Sequence, residues 1–455
     1  MALSRAIFRE YDIRGVTGKD LTEDVATAVG GAYAAFLSEK GVKGFVAVGR
    51  DNRPSGEALH KALVAGLLAC GVDVVDIGIV PTPVAYWAQH NLDVVGGIQI
   101  TGSHNPPEYN GFKLGLATKS IYGGDIQRLY ELASAAKFPR GSGELRRQSV
   151  IDDYVDDVVN RVGKLSRNLD VILDCGNGAG SLVVPKLFPR LGIQPRFLFC
   201  ESDGTFPNHH PDPTVPKNLE AVIGAVRKNR ADIGIAFDGD ADRIGVIADN
   251  GEIIWGDYLL IIYARDVLAR TGKGQPIVFD VKASQALPDA VEKAGGVPVM
   301  WKTGHSVMEE KIHEMHAPVG GEMSGHMFFS EGFYGFDDAM YGAARLLKIV
   351  ADSGKSVHEL LADVPRFVST PEIRVDCADD RKFTIVRDAV TYFGSKYKVN
   401  TVDGVRVLFD RGWGLIRASN TQPVIVMRFE ARSEAELDKI ETEMRSWLRS
   451  KGVKV

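Results

Sequence analysis

The feature that most constrains the fold is a regular alternation of short apolar runs and amphipathic segments over the first two thirds of the chain. An apolar run at 44–49 precedes a helical pattern at 55–70, and a second run at 72–77 precedes a helical pattern at 84–90. This order is typical of a mainly parallel sheet flanked by helices. We therefore predict an α/β fold for this part of the chain.

The same arrangement of strand, glycine-rich or polar loop and helix occurs three times. The apolar run that ends at Ile100 enters a polar loop, and a run at 170–174 enters a glycine-rich loop before a helix predicted from Ser181. In the third unit, a strand at 276–280 precedes a helix at 284–293, after a helix at 258–269. We interpret this as a weak structural repeat of three similar α/β domains with mixed, mainly parallel sheets.

The chain changes character from about Arg366. Short apolar strands separated by turns lie between two helical patterns, which predicts an α+β domain with an antiparallel sheet. The strands are predicted at 405–409, 414–417 and 424–429, and the helices at 381–394 and 433–448. With a polar linker at 137–148, we predict four domains at 1–148, 149–252, 253–365 and 366–455.

Composition narrows the classes of partner and compartment. A chain of 455 residues is too long for one hydrophobic core, and its net charge of -5 gives no electrostatic reason to expect nucleic acid or an anionic membrane as partner. The first residues lack the apolar core of a signal peptide, and no run is long and apolar enough to cross a bilayer. We expect a cytoplasmic protein. Four dispersed cysteines argue against a disulfide framework or a zinc site: Cys70, Cys175, Cys200 and Cys377.

The loop at 101–107 presents the first candidate reactive group. It reads Thr-Gly-Ser-His-Asn-Pro-Pro, with Lys113 a few residues later, and it follows a buried strand. Ligand sites in open α/β sheets lie at the carboxyl ends of strands, which places the Ser103 hydroxyl where chemistry is usually done. An isolated Ser-His pair is more often part of a solvated turn. The remaining motifs favour a phosphoryl group on Ser103.

Three carboxylates alternate between two apolar strands, at Asp238, Asp240 and Asp242. Their mutual repulsion requires either a cation or an outward, solvated arrangement, and a small set of oxygen ligands favours Mg²⁺. An EF-hand is excluded because Arg243 occupies its glycine position and the flanking segments are strands. Alone, a solvated turn would be an equal alternative; together with Ser103, the motif indicates a metal site.

Two further loops have the chemistry of a sugar-phosphate site. The segment 320–326 places Glu322 and Ser324 two residues apart, facing the same way if the segment is extended, as vicinal sugar hydroxyls require. The alternative is a glycine-rich hairpin. The segment 417–423 combines a fixed charge with hydrogen-bond donors suited to a phosphate dianion. Neither a Walker loop nor a dinucleotide fingerprint occurs, so ATP and NAD are not indicated.

These motifs, with Tyr-Asp-Ile-Arg-Gly at 11–15, resemble those of the α-D-phosphohexomutases, most closely the bacterial phosphomannomutase/phosphoglucomutase branch. The resemblance covers essentially the whole chain, and it implies four domains around a central cleft. It also implies a phosphoserine at Ser103, with Ser103 and the three aspartates holding Mg²⁺. The transfer site would include His104, Lys113 and Arg243, while Arg14 and His326 would handle protons.

The resemblance assigns the remaining substrate contacts as well. Sugar hydroxyls would be held by Lys282, His305, Glu322 and Ser324. The phosphate that does not react would be held by Tyr11, Arg417, Ser419, Asn420 and Thr421. The implied reaction interconverts hexose 1- and 6-phosphates of mannose and glucose, as an isomerase activated by glucose 1,6-bisphosphate or mannose 1,6-bisphosphate. The protein would act on sugar phosphates as a monomer, with a dimer as the alternative.

Three other functions stay open at this point. Phosphoglucosamine mutase is the alternative with the same fold, since only Met323 between Glu322 and Ser324 favours the mannose and glucose branch. A metal-dependent sugar phosphatase would transfer the phosphoryl group to water. A non-catalytic sugar-phosphate binding protein is difficult to reconcile with Ser103, Lys113 and the three aspartates together.

Overall fold

The apolar runs form the strands of four separate sheets in a computed structural model, which describes residues 3–420 and 422–455. The first sheet has the order β1-β5-β4-β2-β3-β7, with β6 on β5. Strands β4, β2, β3 and β7 are parallel neighbours, whereas β1, β5 and β4 are antiparallel. The strands are β1 (Ile13–Val16), β2 (Phe45–Arg50), β3 (Asp73–Ile79), β4 (Gly96–Ile100), β5 (Tyr109–Leu116), β6 (Lys119–Ser120) and β7 (Leu145–Arg147).

Four helices cover this first sheet, and their apolar faces pack against it. Helix α1 is buried along most of its length and contacts α2 and α4. The helices are α1 (Glu23–Glu39), α2 (Gly56–Ala69), α3 (Thr82–Asn91) and α4 (Gly124–Ala135). Part of the predicted linker at 137–148 is instead strand β7, because Leu145 to Arg147 pair with the edge strand β3.

The second sheet has the order β12-β11-β10-β8-β9, parallel at β10-β8-β9 and antiparallel at the other edge. A 3₁₀ turn at Ala179–Leu182 and a short α6 replace the longer helix predicted from Ser181. The elements are α5 (Ile151–Val162), β8 (Val171–Asp174), α6 (Val184–Arg190), β9 (Arg196–Leu198), α7 (Glu220–Asn229), β10 (Ile233–Phe237), β11 (Ile244–Ala248) and β12 (Ile253–Ile254).

The third sheet has the order β14-β13-β15-β16, with only the β15-β16 pair antiparallel. Its helix α8 is amphipathic only weakly, since the core surrounds most of its circumference. The elements are α8 (Gly256–Thr271), β13 (Pro276–Asp280), α9 (Ala286–Lys293), β14 (Val297–Trp301), α10 (His305–Met315), β15 (Val319–Gly321), β16 (Met327–Phe329), α11 (Ala339–Ser353) and α12 (Val357–Leu360).

The fourth sheet is entirely antiparallel, which confirms the predicted α+β domain. Its order is β17-β22-β21-β20-β19, with β18 also on β22. The elements are β17 (Val368–Ser369), β18 (Ile373–Asp376), α13 (Asp379–Gly394), β19 (Lys398–Asn400), β20 (Val405–Phe409), β21 (Gly412–Ala418), β22 (Val424–Ala431) and α14 (Glu434–Ser450).

The hydrophobic core is shared unequally among the four domains. One continuous cluster includes residues from the first three domains, for example Val84, Phe237 and Phe279, whereas the fourth domain has a cluster of its own. A small contact joins it to the third domain through Val281, Trp413 and Leu415.

Two features concern the predictions from composition. Cys175 and Cys200 form a disulfide, with Cα atoms 5.0 Å apart, so the argument from dispersed cysteines against disulfides is wrong for this pair. They are 25 residues apart in sequence, but Cys175 follows β8 and Cys200 follows the neighbouring parallel strand β9. Across residues 3–420 and 422–455, we find no helix whose length and apolar character would allow it to span a membrane.

Candidate active site

Ser103 lies at the carboxyl end of β4 in a tight, buried loop. Its φ is 50°, a left-handed conformation that is uncommon for a residue with a side chain. The hydroxyl donates to Asp238 Oδ2 at 3.3 Å and lies 3.1 Å from His104 Nδ1. The loops of the first and second domains therefore meet at this hydroxyl, as the sequence predicted.

Arg53 and Asp51, which follow the neighbouring strand β2, hold this loop in place. The Asp51 carboxylate accepts from Thr101 Oγ1 at 2.8 Å and from the Gly102 amide at 3.1 Å. The Arg53 guanidinium is fully buried and donates to four backbone carbonyls, those of Ser103, Asn105, Pro106 and Tyr109. Sequence reasoning missed both residues. The available signal was a pair of charges directly after an apolar strand at the same sheet edge as Ser103.

The three aspartates occupy the connection between β10 and β11 and are all fully buried. Asp238 Oδ1 accepts the backbone N–H groups of Asp242 and Arg243 at 3.0 and 3.1 Å. Asp240 Oδ1 and Asp242 Oδ1 have no hydrogen-bond partner. One oxygen from each aspartate lies within 4.8 Å of the others. Unpartnered carboxylate oxygens that converge in a buried site fit a divalent cation with oxygen ligands.

Lys113 on β5 supplies part of the positive charge. Its Nζ donates to Asp242 Oδ2 and lies 3.5 Å from Asp240 Oδ2. Burial alone would lower the pKa of Lys113, but these two carboxylates outweigh it and raise the pKa well above the usual value. Burial, together with the charges of Asp242 and Asp240, raises the pKa of Asp238 well above the usual value. A bound cation would relieve this repulsion.

His326 is oriented by groups on both sides of its ring. Its Nε2 accepts from Arg243 Nε at 2.9 Å, so Nδ1 carries the proton of the neutral ring and faces Asp337 Oδ2 at 2.7 Å. Burial lowers the pKa of His326, but the charge of Asp242 and the Asp337 carboxylate produce a net rise. Sequence reasoning missed Asp337, because no local pattern distinguishes it from Asp338.

The first domain contributes two further predicted groups. Arg14 on β1 donates to Asn105 Oδ1 at 2.8 Å and to Asp12 Oδ2 at 2.5 Å, beside the Ser103 loop. Burial, together with the charges of Arg243 and Arg14, lowers the pKa of His104 well below its usual value. His104 is therefore a neutral ring next to the Ser103 hydroxyl.

The third domain contributes Glu322 and Ser324, which lie in a turn and not on an extended segment as predicted. The turn itself brings their side chains together, since Ser324 Oγ donates to Glu322 Oε2 at 2.8 Å. Glu322 Oε1 also accepts the Gly304 amide at 2.6 Å, next to His305. Lys282 Nζ is 3.1 Å from Glu372 Oε2 and 3.8 Å from Asp280 Oδ2.

The end of β21 and the loop after it carry most of the predicted phosphate ligands. Arg417 Nε donates to Asp403 Oδ2 at 2.9 Å, and Ser419 Oγ accepts the Gln422 amide at 3.1 Å. Asn420 Nδ2 donates to the Tyr11 hydroxyl at 2.8 Å. Thr421, predicted for the same function, lies outside the described residues.

Tyr11 brings three domains into contact. Its hydroxyl accepts from Asn420 of the fourth domain and donates to the Thr303 carbonyl of the third at 2.8 Å. The rings of Tyr11 and His305 are 6.1 Å apart, and those of His305 and His326 are 6.0 Å apart. The predicted residues described here are thus linked by side-chain contacts that run from the Ser103 loop to the loop after β21.

Comparisons with known proteins agree with this geometry. Family models for phosphoglucomutase/phosphomannomutase match four consecutive parts of the chain: α/β/α domain I at 5–139, domain II at 152–251, domain III at 255–367 and the C-terminal domain at 372–446.

Similar proteins cover almost the whole chain. A phosphomannomutase/phosphoglucomutase of Pseudomonas putida is 46% identical over 98% of this chain and 96% of its own length, and one from Pseudomonas aeruginosa PAO1 is 44% identical over the same shares. The solved structure of a phosphoglucomutase/phosphomannomutase family protein from Burkholderia thailandensis is 44% identical, with a TM-score of 0.92 over 99% of this chain and 98% of its own. This chain therefore belongs to the phosphoglucomutase/phosphomannomutase family of the α-D-phosphohexomutase superfamily.

Proposed function

We propose that this enzyme reversibly interconverts hexose 1-phosphates and hexose 6-phosphates through a phosphorylated Ser103 and a hexose 1,6-bisphosphate. One observation supports this above all others. The Ser103 hydroxyl lies at 3.3 Å from Asp238 Oδ2, in a buried group of three carboxylates that Lys113 partly neutralises. Such a site suits a phosphoserine and a divalent cation.

We propose Mg²⁺ as the cation, held by Asp238, Asp240, Asp242 and the phosphate on Ser103. When bound, Mg²⁺ offsets the charge of the phosphoryl group and polarises it. The protein itself supplies Lys113 and Arg243 near the transferred group, and the buried position of Ser103 limits access of water. Exclusion of water protects a phosphoserine from hydrolysis.

The proposed transfer breaks one P–O bond, forms another and moves one proton. The bond between phosphorus and Ser103 Oγ breaks, a bond to the free sugar hydroxyl forms, and the proton of that hydroxyl ends on Ser103 Oγ. We assign proton handling to Arg14 and His326. His104, adjacent to Ser103 Oγ, completes the transfer site. The bisphosphate then turns around and returns its other phosphate to Ser103.

The bisphosphate must bind in two orientations, so the site for its nonreacting phosphate must accept either phosphate. We propose that this phosphate-binding site is formed by the loop after β21 and Tyr11. The ligands would be Arg417, Ser419, Asn420, Thr421 and Tyr11. Glu322 and Ser324, with His305 and Lys282, would hold the sugar hydroxyls in both poses.

We propose glucose and mannose phosphates as the substrates, which is consistent with the names of the two Pseudomonas enzymes described above. Glucose or mannose 1,6-bisphosphate would serve as activator by restoring the phosphate on Ser103. The protein would work in the cytoplasm as a monomer, with domains at 1–148, 149–252, 253–365 and 366–455.

A panel of sugar phosphates tests this function. Glucose 1-phosphate, mannose 1-phosphate and glucosamine 1-phosphate are each supplied with Mg²⁺ and a trace of glucose 1,6-bisphosphate, and the 6-phosphate isomer and free phosphate are measured together. We expect comparable isomerisation of the glucose and mannose substrates. A strong preference for the amino sugar would indicate phosphoglucosamine mutase, and free phosphate without isomer would contradict a mutase.

The variant Ser103→Ala tests the phosphoserine itself. We expect loss of turnover by several orders of magnitude and no incorporation of phosphate from labelled bisphosphate, because the variant has no acceptor oxygen. The matched control is Ser181→Ala, a buried serine of the second domain whose hydroxyl has no hydrogen-bond partner. Full turnover by Ser103→Ala would contradict the mechanism.

A further inference from the structure

The two carboxylate oxygens of Asp240 have different surroundings. Oδ2 accepts from Thr82 Oγ1 at 2.5 Å, lies 3.0 Å from Thr101 Oγ1 and is 3.5 Å from the ammonium of Lys113. Oδ1 is buried and has no partner, so it is the oxygen available to a cation. Which oxygen faces the cation therefore depends on the groups that bind Oδ2.

Counting hydrogens distinguishes the two threonines. Thr101 has a single hydroxyl proton, and its Oγ1 is closer to Asp51 Oδ2, at 2.8 Å, than to Asp240 Oδ2. The same Thr101 oxygen accepts the Ser103 amide at 2.8 Å, which supports the Ser103 loop. If the Thr101 proton goes to Asp51, Thr82 is the hydroxyl that remains to hold Asp240.

Thr82 also binds the backbone of the loop between β10 and β11 that carries the three aspartates, which we call the metal loop. It is the first residue of α3 and is fully buried, and its amide donates to the Asp240 carbonyl at 3.0 Å. The first N–H groups of a helix have no partner within the helix, so α3 can donate one to the loop at no cost to itself. Ala241, the residue after Asp240, has a φ of 60°, so the chain turns sharply at this point.

We propose that Thr82 is a positioning residue for metal binding: it holds Asp240 by Oδ2 and by the backbone carbonyl, and so directs Oδ1 to the cation. This inference rests on the proposed Mg²⁺ site. Thr82 belongs to the first domain and Asp240 to the second. The contact therefore also keeps the metal loop aligned with the Ser103 loop, because Thr82 and the Ser103 loop lie at the same edge of the first sheet.

Direct binding of metal by three variants tests the proposal. Thr82→Val has nearly the same shape but no hydroxyl, and Thr82→Ser keeps the hydroxyl. Ser181→Ala controls for loss of a buried hydroxyl that makes no hydrogen bond. Full-length protein freed of divalent cations is titrated with MgCl2 by calorimetry and with MnCl2 by electron paramagnetic resonance. Activity is measured over a range of Mg²⁺ concentrations.

We expect Thr82→Val to bind both ions about tenfold more weakly, at the lower end of the effect of removing a group that orients a metal ligand. Its activity should recover at saturating Mg²⁺, since the reacting groups are intact. Thr82→Ser and Ser181→Ala should bind like the wild type. A merely structural Thr82 would change thermal stability without changing the Kd for either ion.

Equal metal affinity of Thr82→Val and wild type would overturn the proposal. So would weakened binding by Thr82→Ser to the same extent as by Thr82→Val. If Thr82→Val does not fold, Thr82→Ala replaces it and is judged by the same affinities. A wild-type protein that binds neither ion would contradict the proposed metal site itself, which is a different result from equal affinities.

Discussion

The loop that carries Ser103 is held by one buried side chain from a neighbouring loop, that of Arg53. Three carbonyls of the loop and the carbonyl of Tyr109, at the start of β5, accept hydrogen bonds from this guanidinium. The Asp51 carboxylate balances its charge. Burial lowers the pKa of Arg53 and the Asp51 charge opposes the fall. A guanidinium with several fixed donors suits this function, which a lysine with one ammonium would not reproduce.

We predict that Arg53→Met lowers the free energy of unfolding by about 3–5 kcal/mol, because it leaves Asp51 as an uncompensated buried charge and the loop carbonyls without donors. Urea denaturation measures the loss. The control is Arg128→Met, which removes an exposed arginine paired with Glu39 and Glu131 and should cost much less stability, because water screens both ion pairs. Equal losses for the two variants would contradict the structural importance of Arg53.

At the scale of elements, helix α10 of the third domain packs on the short strand β6 of the first. Ser120 Oγ donates to Glu309 Oε2 at 2.6 Å in this contact. Glu309 is buried, and burial raises its pKa to about 8, with Asp337 adding to the rise and Ser120 opposing it. The interface therefore holds a carboxylic acid that is neutral at pH 7.

This shift predicts how stability depends on pH. The folded state keeps a proton on Glu309 that the unfolded state loses above about pH 4.5, so the contribution of Glu309 is destabilising and grows as pH rises to about 8. We expect Glu309→Gln to gain stability over the wild type by up to about 1.4 kcal/mol per pH unit in this window. The measurement is urea denaturation at pH 5, 6, 7 and 8.

The exposed neighbour Glu310 provides the control for this pH dependence. Glu310→Gln removes an exposed carboxylate of the same helix, which accepts from the Tyr122 hydroxyl, and so controls for the loss of one charge from α10. A constant difference between Glu309→Gln and wild type from pH 5 to pH 8 would show that Glu309 does not titrate in this window.

At the scale of the whole molecule, the fourth domain is the unit whose hydrophobic cluster is separate from the large one that the first three domains share. It contacts the third domain through Arg406, whose guanidinium donates to the carbonyls of Val281 and Ala283 at 2.7 Å on either side of Lys282. Arg428 donates to the Lys282 carbonyl. The fourth domain therefore helps to fix the backbone position of the loop around Lys282, a residue that we assign to substrate binding.

The Tyr11 hydroxyl is one contact that joins the fourth domain to both the first and the third. We predict that Tyr11→Phe raises the KM for glucose 1-phosphate about tenfold, because two hydrogen bonds of about 0.5–1.5 kcal/mol each are lost from the closed cleft. Small-angle scattering should show a larger radius of gyration. The control, Tyr397→Phe, removes a hydroxyl bonded to Glu443 within the fourth domain and should change neither quantity.

If Tyr11→Phe and the control have the same KM and radius of gyration, the cleft does not depend on this contact.

The sequence by itself determined the α/β domains, the antiparallel last domain and the loops that carry Ser103 and the three aspartates. These follow from local patterns: burial periodicity defines the strands, and polar loops at their ends mark a sheet edge. The boundaries of the four domains and the roles of the individual site residues stay predictions.

Only the tertiary structure decided which side chains support those loops. Arg53 bonds to carbonyls, which every residue has, and Thr82 meets Asp240 across 158 positions of the chain. The Cys175–Cys200 pair and the contact of Asp337 with His326 also depend on strands and loops that are adjacent in space. No local pattern encodes such contacts, because their partners are brought together by the packing of whole domains and not by the spacing of residues.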